Sequence, residues 1–182
     1  MRRTILISGE PHSGKTTLFR RLVEHHRGHI GGVITEEMVN DAGARVGFKV
    51  RALDTGAEAV LATKEPGGMR FGEYQIDPTA LIRVVNPAIK RAIEYHSLIC
   101  IDEIGLMQLE SEMFKSLVLQ AMKSGKIVLA TMHARQHVFT DKLRESGDVL
   151  YFSIDSANRD EVLEMIESMF IRMIHSQNGD QA

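Results

Sequence analysis

The chain has 182 residues, 43% of them hydrophobic and 25% charged, which is the balance of one soluble globular domain with a sizeable core. Its 22 basic and 24 acidic residues leave a net charge near −2 with no long basic run, so nucleic acid is not expected as a partner. No apolar run approaches the ~20 residues of a membrane helix, and the lone Cys100 has no cysteine to pair with.

In chain order, Met1-Arg2-Arg3 leads into an apolar stretch too short for a signal peptide, and a reducing, cytoplasmic setting is the expectation. Residues 4–8 read as a buried strand. Residues 9–16, Gly9-Glu10-Pro11-His12-Ser13-Gly14-Lys15-Thr16, match G-x-x-x-x-G-K-T in full. Gly9 and Gly14 let such a loop wrap with its N–H groups inward, where they bind phosphate oxygens at the positive end of the following helix. Lys15 is then placed for the β- and γ-phosphates, the Thr16 hydroxyl for Mg2+, and Thr17 closes the set of phosphate-binding candidates. The helix extends to about residue 27, with Leu18, Leu22 and Val23 on one face.

Residues 30–35 read as a second strand. Two alternating runs, 46–53 and 57–62, flank the turn triplet Asp54-Thr55-Gly56 and predict a β-hairpin. Residues 65–68 form a loop, and Asp77 and Pro78 suit the cap and first position of a helix reaching about Tyr95. A strand over 97–101 ends in Asp102-Glu103, a helix covers roughly 110–123 before Gly125, and strands follow at 127–132 and 148–154 with a short helix at 138–146 between them. Asn158 with Glu161 resembles a capping box for a last helix whose stripe of Val162, Met165, Ile166, Met169, Phe170 and Met173 is core. The alternation predicts a three-layer α/β fold, a mostly parallel sheet with helices on both faces and an inserted β-hairpin, in one domain over 1–176 with a frayed tail at 177–182.

A buried parallel strand presents its functional residues at its carboxyl end. Asp102 is therefore placed to hold Mg2+, and Glu103 to orient and deprotonate a water attacking the γ-phosphate. Lys15 and Glu103 are the catalytic candidates, and Thr16 and Asp102 the metal ligands. Asp102-Glu103-Ile104-Gly105 also fits the D-x-x-G of GTP-binding switches, but no N-K-x-D segment accompanies it to read guanine.

Three further segments are Gly32-Val33-Ile34-Thr35-Glu36-Glu37, Gly43-Ala44-Arg45-Val46-Gly47-Phe48 and residues 102–109. With the loop, and with Phe71-Gly72-Glu73-Tyr74 and Leu129-Ala130-Thr131, they resemble, in the same order, the small P-loop family that includes cancer-related nucleoside triphosphatase. The resemblance spans residue 4 to about 154. It implies a RecA-like core in which one inserted strand separates the Asp102 strand from the loop strand. It also implies slow, Mg2+-dependent hydrolysis of the β–γ bond of ATP, GTP and other nucleoside triphosphates. The chain departs from the family pattern at Met132-His133, where Pro is common, at His12-Ser13, and at Gln108, where Glu is usual.

Other residues keep two readings. Thr35-Glu36-Glu37 either line the site or are solvated acids, and Arg45 meets phosphate, a partner or solvent. Thr131 or His133 is placed to sense the γ-phosphate. His25, His26 and His29 have the spacing of solvated imidazoles rather than a ligand set. Arg70, Arg135 and Arg144 are candidates to stabilise transition-state charge, and nothing in their spacing selects one. The alternatives to a hydrolase are a P-loop nucleotide or small-molecule kinase, for which residues 64–70 are too short and Arg-poor a lid, and a nucleotide-dependent switch or binding module acting on a protein partner.

Overall fold

The computed structural model describes residues 3–11, 13–24 and 29–179, the last three by their backbone alone. Among the described residues nine strands form one sheet: β1 (Thr4–Gly9), β2 (Ile30–Val39), β3 (Arg45–Ala52), β4 (Glu58–Thr63), β5 (Met69–Phe71), β6 (Tyr74–Ile76), β7 (Leu98–Ile104), β8 (Ile127–His133) and β9 (Val149–Ile154). Their order across the sheet is β5-β6-β4-β3-β2-β7-β8-β1-β9. The five strands β2, β7, β8, β1 and β9 are parallel, and β3, β4, β6 and β5 extend the sheet antiparallel beyond β2. β8 lies between β1 and β7, as the family resemblance implies.

The period-two side-chain alternation of these strands sorts the core onto two faces. Ile5, Ile7, Leu98, Cys100 and Leu129 face one way and pack on Leu18, Phe19 and Leu22 of α1 (Lys15–Glu24) and Ile166, Phe170 and Met173 of α6 (Arg159–Gly179). Leu6, Ile99, Ile101, Val128 and Ala130 face the other way, against Ala88, Ile89 and Ala92 of α3 (Asn86–Tyr95) and Phe114, Leu117 and Val118 of α4 (Glu112–Lys123). A strand buried on both faces carries an unbroken apolar run, which is why β1, β7 and β8 were legible.

α3 is preceded by a short α2 (Pro78–Ala80) and a π-helical turn over Leu81–Val85, so the predicted helix is continuous but widened in its middle. Asp77 caps it as expected, its Oδ1 accepting from Thr79 N at 2.8 Å. Ser111 caps α4 by accepting from Phe114 N, and His137 caps α5 (Val138–Arg144) from Phe139 N. The capping box at Asn158 is corrected. Its Oδ1 accepts from Asp155 N at 2.9 Å and its amide donates to Ser153 O at 3.0 Å, so the side chain ties down the loop before α6 rather than the helix's first turn. α6 runs through Gly179, into the stretch read as a frayed tail, and residues 180–182 lie outside the described residues, as do 25–27 at the predicted end of α1.

Candidate functional site

The loop after β1 owes its shape to two glycines. A Cβ at Gly9 would run into the Ile154 carbonyl oxygen of β9, and Gly14 holds φ 99°, where L side chains are strained. Between them Ser13 N donates to Glu10 O at 3.2 Å, and Leu18 N donates to Gly14 O at 3.0 Å as α1 begins. Lys15 is buried, its Nζ donating to Gly9 O at 2.6 Å and Glu10 O at 2.9 Å across the loop. Burial pushes its pKa down, and the carboxylates of Glu103 and Asp102 push back. Ser13 Oγ is buried without a hydrogen-bond partner. Thr17 is exposed on α1, and His12 lies outside the described residues.

Asp102 and Glu103 sit near the end of β7, where the pairing with β8 shifts register between Ile101 and Ile104. Asp102 is 2% exposed. Its Oδ1 accepts from the Thr131 hydroxyl of β8, while Oδ2 is buried with no hydrogen-bond partner. Burial pushes its pKa up to about 6, opposed by the Thr131 and Thr16 hydroxyls and Lys15, and reinforced by Glu103. An orphaned, desolvated carboxylate oxygen next to the Thr16 hydroxyl suits a hard divalent cation, which takes oxygen ligands and reverses the sign of that penalty. Burial likewise raises the pKa of Glu103, with Lys15 opposing.

Loop and β7 end open into one cavity of about 470 Å3, bordered by Gly9, Glu10, Pro11, Lys15, Thr16, Asp102 and Glu103. The antiparallel extension and the segment after β7 supply its far wall: Thr35, Glu37, Arg45, Phe48, Leu61, Phe71, Tyr74, Leu106, Met107 and Gln108. Gln108 is buried and donates to Thr35 Oγ1 at 3.3 Å.

Residues 4–167 match the profile of the NTPase family. The chain is 39% identical over 166 residues to the nucleoside-triphosphatase THEP1 of Thermotoga sp. (strain RQ2), covering 91% of this chain and 94% of that one. It is 41% identical over 161 residues to the protein of the same name from Thermococcus kodakarensis, with 85% and 87% covered. The crystal structure of THEP1 from Aquifex aeolicus superposes with a TM-score of 0.81 at 30% identity, covering 92% of this chain and 98% of that chain. This chain belongs to the THEP1 nucleoside-triphosphatase family.

Within that family fold, the open residues separate. Thr35 and Glu37 border the cavity, whereas Glu36 points into a depression of about 280 Å3 by α1 and sits among Arg20, Lys49 and Arg51 at 3.2–3.4 Å. Arg45 borders the cavity and is held there, donating to Glu37 at 2.7 Å and the Tyr74 hydroxyl at 3.1 Å with its guanidinium 5.5 Å from the Phe48 ring. Of the three other arginines, Arg135 borders the cavity. Arg70 turns back to Gly72 O, and Arg144 donates to His133 O and Asp141. His29 is exposed, and His25 and His26 lie outside the described residues, among which no cluster of three or more metal-binding side chains occurs. No helix among them is long and apolar enough to cross a membrane. Sequence reasoning missed Leu61, Leu106 and Met107, because an apolar cavity wall and a core position give the same signal along a chain.

Proposed function

We propose that the cleft hydrolyses the β–γ anhydride of nucleoside triphosphates, ATP and GTP among them, to the diphosphate and phosphate with Mg2+. The observation that carries this reading is the meeting of Lys15 and Glu103, 88 positions apart in sequence, on the border of one cavity, close enough for each charge to shift the other. The names of the relatives, nucleoside-triphosphatases, agree with it.

The loop amides from Gly9 to Thr16 bind the phosphate oxygens, and Lys15 leaves its carbonyl partners for the β- and γ-phosphates. Thr16 and Asp102 would hold Mg2+, which when bound supplies positive charge against the phosphate oxygens. Glu103 takes a proton from water as the water oxygen attacks the γ-phosphorus and the bridging oxygen leaves with the diphosphate. The raised pKa of Glu103 makes it a stronger base than a solvated carboxylate.

Phosphate release from ATP, with Mg2+ and no acceptor present, tests this reading against a kinase. Chelation should abolish release and added Mg2+ restore it. Glu103→Gln should bind the triphosphate as the unaltered protein does and turn over about 10²–10⁴-fold more slowly; undiminished turnover would remove Glu103 from the mechanism.

A further inference from the structure

The strand between the loop strand and the Asp102 strand ends in two polar side chains, and they are not equivalent. Thr131 is fully buried, and its hydroxyl hydrogen is committed to Asp102 Oδ1. His133 is paired in register with Gly9, the first residue of the phosphate loop. Both of its ring nitrogens are buried without a well-formed hydrogen bond, although the Arg135 backbone lies close enough to favour the protonated ring, and the residue borders the same cavity as Lys15, Thr16, Asp102 and Glu103. Its backbone is anchored, since Arg144 donates to the His133 carbonyl at 2.9 Å, and the ring stands edge-on to His137 with centroids 6.3 Å apart. Buried polar groups of folded proteins are nearly always satisfied, so ring nitrogens left this poorly paired on a cavity wall mark a place where a ligand completes the pairing.

The position identifies which part of the ligand. The loop amides at the start of α1 engage the inner phosphates. β8 lies between β1 and β7, so a side chain at its end stands between the loop and the Asp102-Glu103 pair. The phosphate under attack has to lie there.

We propose that His133 donates a ring N–H to an oxygen of the terminal phosphate and is the residue by which the cleft distinguishes a triphosphate from a diphosphate. This rests on the nucleotide reading given above. Burial, and then the positive charge of Arg144, push the imidazole pKa down, so the ring is neutral near pH 7 with one N–H to give. Thr131, the other candidate for this role, serves instead to orient Asp102.

Calorimetric titration with ADP and with the β,γ-imido analogue of ATP, in the presence of Mg2+, tests the assignment in the unaltered protein, His133→Ala and His133→Gln. His133→Ala should lose about tenfold in affinity for the triphosphate analogue while its ADP affinity stays within about twofold, and the amide of His133→Gln should recover part of the loss. In the unaltered protein, ring-nitrogen resonances of His133 should shift with the imido analogue and not with ADP. Equal losses for both ligands, no loss, or a ring indifferent to the analogue would each overturn the sensing role while leaving the hydrolase reading intact. An unaltered protein that bound neither nucleotide would instead take down the nucleotide reading on which the proposal stands.

Discussion

At the scale of single residues, Asp102 organises the site. One of its oxygens is tied to Thr131 and the other is free and dry, a configuration that costs stability unless a cation answers it. The sequence placed Asp102 by its position after an apolar run, and it could not assign Thr131 or His133 to distinct tasks, because side chains two apart on a strand point to the same face and only the neighbouring strand decides which meets a partner. A residue that orients a metal-binding carboxylate is commonly worth 10–100-fold in metal affinity. Thr131→Val should therefore weaken Mn2+ binding to the nucleotide-loaded protein by about that factor, and Thr131→Ser should restore most of it. Electron paramagnetic resonance of free Mn2+ measures this directly; a Val variant that bound Mn2+ as tightly as the unaltered protein would show that Thr131 is only packing.

At the scale of elements, legibility followed burial. The long strands and their helices were readable because apolar runs and 3.6-residue stripes leave no ambiguity at that length. β2 was expected to stop at 35 and continues to Val39, because its pairing with β7 ends at Ile34 while its pairing with β3, which begins at Val33, carries on along a more exposed ribbon where Glu36 and Glu37 are admissible. β5 and β6, three residues each, are too short to carry a period. The hairpin packs Val50, Ala52, Leu61 and Ala62 into the core it shares with Leu81, Val85 and Ala88, and an ion pair adds to this, Arg91 of α3 forking onto Asp54 in the β3–β4 turn at 2.6 and 2.9 Å. The Asp54 side chain is 9% exposed, and the Arg91 hydrogen bonds hold its pKa below the usual carboxylate value. A depressed carboxylate contributes stability above its unfolded pKa and loses it as pH falls through the folded value. Asp54→Asn should thus cost about 1–2 kcal/mol at pH 7, the size of hydrogen bonds to a charged group on a partly exposed pair. That difference should shrink below pH ~4 as the unaltered protein's own Asp54 protonates. Urea titrations at pH 7 and pH 3 give the two values; a difference independent of pH would assign the loss to packing.

At the scale of the whole molecule, the site is a consequence of strand order. The loop follows β1 and the acids lie near the end of β7, and β8 between them carries the third set of polar groups, so the cleft spans three adjacent strand ends of one sheet. Triphosphate bound across these ends should therefore brace the parallel half of the sheet and stabilise the fold by mass action, about 2.7 kcal/mol at a ligand concentration one hundred times Kd. For a domain of this length that corresponds to a rise in melting temperature of roughly 5–11 °C. The imido analogue of ATP with Mg2+ should produce this rise in the unaltered protein. Lys15→Ala should lose most of it, since its buried ammonium is the one Lys or Arg charge that the loop's described residues place on the cavity. A full rise in Lys15→Ala would mean that the nucleotide stabilises the chain from somewhere other than this cleft, and the strand-end arrangement would then have no part in binding it.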